Sequence, residues 1–171
     1  MKRVEMMAVA AAALVLSGCG GEAEAPKAEA AATALNDGLF ELTSEVTALS
    51  STDNTTPATA LKVGDTQTIQ ACVADNKPSP DLFAEGEDKC EMKNSYIRNG
   101  RFSAQLTCQR DGKRGEVMPA MMGKFTADSF EGDITAMTYF IEDGDYRITR
   151  KVSAKRVGDC PAPSAETAAV G

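Results

Sequence analysis

Apolar and polar residues alternate with a period of two over most of the central chain, which predicts strands with one buried and one solvated face. From Gly38 to Leu49, Phe40, Leu42, Val46 and Ala48 share one side. A loop rich in Ser, Thr, Asn and Pro follows from Ser50 to Ala58, and a second strand is expected from about Thr66 to Val73. Arg98-Asn99-Gly100-Arg101 is the clearest turn, because Asn-Gly supplies both positive φ angles of a type I′ hairpin. It joins strands of Cys90–Arg98 and Arg101–Gln109, and the second presents Phe102, Ala104, Leu106 and Cys108 to one side.

A further hairpin centred on Ala127-Asp128 places Phe125 opposite Phe130, Gly123 opposite Gly132 and Met121 opposite Ile134, a consistent apolar face. The last hairpin turns at Glu142-Asp143-Gly144-Asp145. A two-residue turn there would put Ile134 and Ile148 on opposite faces. A three-residue loop, Asp143 to Asp145, pairs Phe140 with Ile148 and Ala136 with Val152 instead. The apolar pattern favours the longer loop, since a one-residue slip flips every side chain. Asp75 to Asp88 has room for a short helical turn starting near Pro80-Asp81-Leu82-Phe83. The expected fold is mainly β, a single antiparallel meander forming a curled sheet or small barrel, with two disulfides and one short helix.

The two ends of the chain depart from this pattern. Met1-Lys2-Arg3 is a short basic start, and Met6 to Leu16 is an unbroken apolar run. That run suits a signal peptide and is about half the length a membrane-spanning helix needs. Leu16-Ser17-Gly18-Cys19 then resembles the bacterial lipobox, in which the cysteine sulfur receives a diacylglyceryl group and cleavage falls just before it. The expected organisation is a signal peptide over residues 1–18 and a lipidated Cys19 with an Ala/Glu-rich tether over 19–35. A β domain over 36–160 and a small, polar tail over 161–171 complete it. Gly20 after the cysteine implies sorting to the outer membrane, so the expected location is the periplasmic face of the envelope, attached through Cys19.

Cysteine and charge narrow the chemistry. With Cys19 lipidated, Cys72, Cys90, Cys108 and Cys160 form an even set in an oxidising compartment, which predicts two disulfides. The Asn99-Gly100 hairpin puts Cys90 opposite Gln109, so Cys90 and Cys108 point to opposite faces and are not expected to pair. Cys72–Cys90 with Cys108–Cys160 is the preferred pairing, and Cys72–Cys108 with Cys90–Cys160 is the alternative. Removal of residues 1–18 takes away two cations and one anion, leaving 16 cations against 24 anions, a net charge of −8. No basic run rises above that background, which argues against nucleic acid and anionic lipid surfaces as partners.

The chain contains no histidine, which removes the commonest general base and every His-based nucleophile pair or metal site. A carboxylate pair is the remaining route to a hydrolase. The acidic clusters Glu85-Gly86-Glu87-Asp88 and Glu142-Asp143-Gly144-Asp145 both fall in expected turns, where solvated carboxylates are the common case. Neither has the spacing of an EF-hand. Met118-Pro119-Ala120-Met121-Met122, with Met92 and Met137, suggests thioether copper ligands, but lacks a repeated Met-x-x-Met array and reads as packing. No enzymatic activity, cofactor or metal is therefore expected.

From about residue 38 to 160 the chain resembles a proteobacterial family of unknown function, DUF3617. Gly38-Leu39-Phe40-Glu41-Leu42-Thr43 is similar to the opening of that domain, and Cys72-Val73 follows a Gln/Thr-rich strand. Cys90 then leads through a hairpin to Cys108. Gly123 to Gly132 is similar to its small-residue turn and Val157-Gly158-Asp159-Cys160 to its Gly-Asp-Cys end, while Phe40 stands where an indole is common. The resemblance implies a two-disulfide β domain and carries over no catalytic or binding residue. The expected role is a non-enzymatic envelope module that binds a small apolar molecule or an envelope component. The alternative is a periplasmic protein-interaction module, such as an inhibitor or assembly factor.

Overall fold

Each alternating stretch becomes a strand in the structure, a computed structural model that describes residues 32–161. The strands are β1 (Gly38–Ser51), β2 (Thr66–Ala74), β3 (Lys77–Pro78), β4 (Lys89–Arg98), β5 (Arg101–Gln109), β6 (Gly115–Phe125), β7 (Ser129–Phe140) and β8 (Tyr146–Gly158). One 3-10 turn, Pro80–Leu82, lies between β3 and β4, with Ser79 capping it by accepting from the Asp81 N–H. The eight strands form one antiparallel sheet in the order β3-β2-β1-β8-β7-β6-β5-β4. The segment from β4 to β8 is the expected meander. The first long strand then pairs with the last, which closes the chain on itself through β1–β8.

The sheet curls into a half-barrel with β3 and β4 at its edges. Its concave face carries the apolar set: Phe40, Leu42, Phe102, Leu106, Met121, Phe130, Ile134, Ile148 and Val152 are all buried. The 3-10 turn touches both β2 and β4, so the segment between β3 and β4 spans the opening of the half-barrel. It inserts Leu82 and Phe83, both fully buried. Phe83 stacks on Phe102 at 5.7 Å and meets Phe130 at 6.2 Å, and Phe130 also lies 6.1 Å from Phe40. Burial of these two side chains contributes about 1.5–3 kcal/mol each. The interior is thus filled by the chain's own plug.

Gly123 lies directly opposite Gly132 across β6 and β7. A Cβ on Gly123 would clash with the Glu131 carbonyl, and one on Gly132 with the Met122 carbonyl. Both edges are also guarded against further pairing. The β3 edge is two residues long and contains Pro78, and β4 carries Lys89, Glu91 and Lys93 together with a bulge.

Three expectations need correction. First, β1 has a bulge at Thr47, so Ala48 turns outward and Leu49 pairs with Ile148 on the core side. Second, β4 has a bulge at Lys93 that shifts Cys90 from Gln109 to Cys108. Third, Ile148 pairs with Ala136 rather than Phe140, and Val152 with Gly132 rather than Ala136. That last shift is even, so the predicted faces survive. The connection is wider because Asp145 Oδ1 accepts from the Thr138 hydroxyl (2.9 Å) and the Phe140 N–H (2.8 Å). The Thr138 hydroxyl in turn accepts from the Tyr146 N–H at 2.8 Å.

Candidate functional site

Charged side chains converge where the plug meets the sheet. Arg110, just past β5, forms a two-pronged ion pair with Asp88 (Nε–Oδ1 2.8 Å, Nη2–Oδ2 2.7 Å). Its Nη1 donates to the Tyr146 hydroxyl (2.7 Å) and the Ala58 carbonyl (2.9 Å), and Nη2 lies 3.3 Å from Glu85 Oε1. The guanidinium also lies 5.7 Å from the Phe140 ring and 5.8 Å from the Tyr146 ring. Glu85 Oε1 accepts from the Tyr146 and Thr59 hydroxyls, each at 2.7 Å. Burial opposes the Arg110 charge, but the hydrogen bond to Asp88 and the Glu85 carboxylate outweigh it and hold the group protonated beyond its ordinary range. Burial, and next the Glu85 charge, push the Tyr146 phenol up, so it is a donor at all physiological pH.

Arg150 completes this cluster from the middle of the concave face. It is 2% exposed and occupies the core-facing position between Ile148 and Val152. Its Nη1 and Nη2 donate to the Ala84 and Phe83 carbonyls at 3.0 and 2.6 Å. Burial lowers its proton affinity, and the Glu85 charge is the largest influence opposing that. Among the described residues, Glu85 Oε2 and Arg150 Nε are buried without a hydrogen-bond partner. The two cations and two carboxylates balance one another, and the Arg110 fork is fully engaged. The cluster's chemistry is therefore that of a clamp: it pins the plug and the Ala58–Thr59 loop to the sheet.

The acidic segment Glu85-Gly86-Glu87-Asp88, expected to be a solvated turn, thus supplies two buried carboxylates, which is a correction. The reason is tertiary: Arg110 and Tyr146 are distant in sequence and are brought to it by the curl. The other acidic turn is organised by Asp53. Its carboxylate accepts from the Thr55 hydroxyl and N–H and from the Gly144 and Asp145 N–H groups at 2.7–2.9 Å. Those lone pairs serve backbone donors and are not directed at a cation. The Thr55 hydroxyl bond, then the backbone ones, hold the Asp53 carboxyl well below the usual carboxylate range. The methionines also disperse: Met121 is in the core, while Met118 and Met137 are opposed across β6–β7 and Met122 projects outward.

A groove of about 820 Å³ lies at one end of the half-barrel. Phe125, Phe130 and Ala154 form an apolar floor, Ala32 and Ala127 lie beside it, and the charged Arg101, Lys124 and Glu131 also line the groove. The segment entering the domain laces this end together. The Gly100 N–H donates to the Ala32 carbonyl at 2.8 Å and the Asn36 N–H to the Ala127 carbonyl at 2.7 Å. Two smaller cavities, about 390 and 480 Å³, flank the clamp, and Thr59, Gln67, Glu85 and Arg150 are among the residues that line them.

The four domain cysteines pair as Cys72–Cys160 and Cys90–Cys108, which differs from both expected pairings. The Lys93 bulge places Cys90 and Cys108 directly opposite each other. Leu39 pairs with Cys72 on one side and Gly158 on the other, so Cys160 reaches Cys72 across β1, with a Cα separation of 5.7 Å. Cys19, the expected lipidation site, and the expected signal peptide lie outside the described residues, as do 19–31 of the tether and 162–171 of the tail.

Fold and bridges together define a small, disulfide-tied, all-β domain built from one curled sheet. The chain belongs to the family described as protein of unknown function (DUF3617), which matches residues 35–160. That span runs from Leu35, buried and tied to Asn76 by its N–H (2.7 Å), to Cys160 of the first bridge. No curated protein and no solved structure matches the chain.

Proposed function

We propose that this protein is a lipid-anchored, non-enzymatic module of the bacterial envelope that holds a small apolar molecule in the end groove. The lipobox-like Leu16-Ser17-Gly18-Cys19 supports the anchor, and the four cysteines suit an oxidising compartment. The observation that carries the binding reading is the groove itself. Its volume of about 820 Å³ falls in the range of ligand sites, and its floor is aromatic and aliphatic. The half-barrel interior is filled by Leu82 and Phe83, so the binding surface is this end and not an internal cavity. The clamp around Arg110 supports a structural role, because Arg110, Asp88 and the Tyr146 hydroxyl are engaged with one another across the plug and the sheet.

The test uses unacylated full chain (C19S) and the neutral fluorophore N-phenyl-1-naphthylamine. Saturable one-to-one uptake, lost in Ala127→Trp or Ser153→Trp with thermal unfolding unchanged, is the expected result. Uptake that never saturates, or that survives both filling substitutions, overturns the reading. Globomycin-sensitive incorporation of labelled palmitate, abolished in C19S, tests the anchor separately.

A further inference from the structure

Strand pairing gathers cations that the linear sequence disperses. Arg98 on β4 lies directly opposite Arg101 on β5, and Arg101 directly opposite Lys124 on β6. All three are exposed. They lie on the convex face, because their neighbours Ile97, Phe102 and Phe125 turn to the core. Like charges set directly opposite each other across strands are destabilising. Yet none of the three makes a salt bridge among the described residues. In a chain of net charge −7, such a row is a local reversal of sign. It is bounded on β7 by Glu131, opposite Lys124, and by Asp133, opposite Met122.

One step along the same face are two large exposed apolar groups, Tyr96 (51% exposed) and Met122 (73%). The register places Tyr96 opposite Ser103, and Ser103 opposite Met122, parallel to the cationic row. The surface therefore pairs a cationic row with an amphipathic aromatic and a flexible thioether. The row crosses three strands on the outer face of the sheet, with a concavity of about 490 Å³ beside Tyr96 and Met122, which suits an extended partner better than a single small anion. The chain enters the domain at this same end, since the Ala32 carbonyl is bonded to Gly100 of the turn between Arg98 and Arg101.

We propose that Arg98, Arg101 and Lys124, with Tyr96 and Met122, form a face by which the domain lies on an anionic lipid bilayer. The cations meet lipid phosphates, while the Tyr96 ring and the Met122 side chain enter the interfacial layer. Only the choice of bilayer rests on the lipid-anchor reading: a tether leaving from this end keeps the face toward the membrane. The charge row and its apolar neighbours stand on the strand register alone.

The experiment is co-sedimentation of unacylated full chain (C19S) with phosphatidylglycerol/phosphatidylcholine vesicles against pure phosphatidylcholine. Binding to the anionic vesicles only, weakening as salt rises, is expected. Arg98→Gln should weaken it about fivefold and the triple Arg98→Gln/Arg101→Gln/Lys124→Gln about a hundredfold. Tyr96→Ser/Met122→Ser should weaken it too while retaining naphthylamine uptake. Ala127→Trp should lose uptake and keep vesicle binding, which distinguishes bilayer contact from filling of the groove that Arg101 and Lys124 also border. The triple variant should unfold at an equal or higher temperature, since it removes facing like charges. Equal binding to both vesicles, binding that survives the triple substitution, or binding lost with Ala127→Trp overturns the proposal. So does equally tight capture by a single-stranded oligonucleotide, which would assign the row to polyanions in general.

Discussion

Cys90 lies directly across the β4–β5 ladder from Cys108, with Cα atoms 4.0 Å apart, because Lys93 is an extra, unpaired residue between Met92 and Asn94. Deleting Lys93 removes the bulge and returns Cys90 to Gln109 and the opposite face. Two titratable thiols are expected in that deletion and none in the wild-type domain. Peptide mapping without reduction should recover Cys72–Cys160 and Cys90–Cys108. The loops closed span 88 and 18 residues, so chain entropy makes the first bridge the larger contributor, about 4.6 against about 3 kcal/mol. Urea unfolding of the C72A/C160A and C90A/C108A variants should rank them in that order.

The Arg110 clamp makes a sharper demand. Arg110→Met leaves Glu85 and Asp88 buried without their cation, and breaking a buried pair from one side costs about 3–5 kcal/mol. Adding Asp88→Asn to Arg110→Met should recover part of that loss, because Glu85 then balances Arg150 and no unmatched buried charge remains. A double variant as unstable as the single one would show that packing and not charge dominates here.

Arg150 should control the plug locally. Arg150→Met keeps most of the side-chain volume but frees the Phe83 and Ala84 carbonyls. Hydrogen exchange of amides in the plug should accelerate more than that of amides in β6 and β7. Uniform acceleration throughout the sheet would instead make Arg150 a general core residue.

Asp53 predicts an acid dependence. Its carboxyl titrates lower in the folded chain than unfolded, where an aspartate has a value of about 3.9. The folded state therefore gains from Asp53 above that pH and loses the gain progressively as pH falls below it toward the lower folded value. Asp53→Asn should lower the unfolding temperature at pH 7, and the gap to wild type should close below about pH 4. A gap independent of pH would mean that the Asp53 hydrogen bonds matter and its charge does not.

The glycine pair is a test of curvature. Gly123→Ala and Gly132→Ala each drive a methyl group into a facing carbonyl, and overpacking of this kind typically costs about 1–3 kcal/mol. Gly158→Ala, where a Cβ meets open space, should be close to neutral in the same thermal unfolding assay.

Much of this architecture is written locally. Period-two alternation sets which residues of β5 to β8 face inward, Asn99-Gly100 sets one turn, and Phe125–Phe130 sets another. These features depend on nearest neighbours along and across one hairpin, so the amino-acid sequence alone determines them. The even shift in the β7–β8 register shows the limit: the faces were fixed by pattern, but the pairing was fixed by Asp145 within the connection and by Asp53 reaching across from the loop after β1.

The tertiary structure decided the rest. One unpaired residue, Thr47 or Lys93, reverses a strand's faces, and no local pattern marks either bulge. Arg150 could have been suspected as a cation interrupting the Ile148–Val152 core pattern, but its partners, the Phe83 and Ala84 carbonyls, lie far away in the chain. Glu85 and Asp88 look like a solvated turn until curvature brings Arg110 and Tyr146 to them. Likewise Arg98, Arg101 and Lys124 become one row only through pairing. Alternation is a property of a strand by itself, whereas bridges, clamps and charged faces are properties of which strands meet.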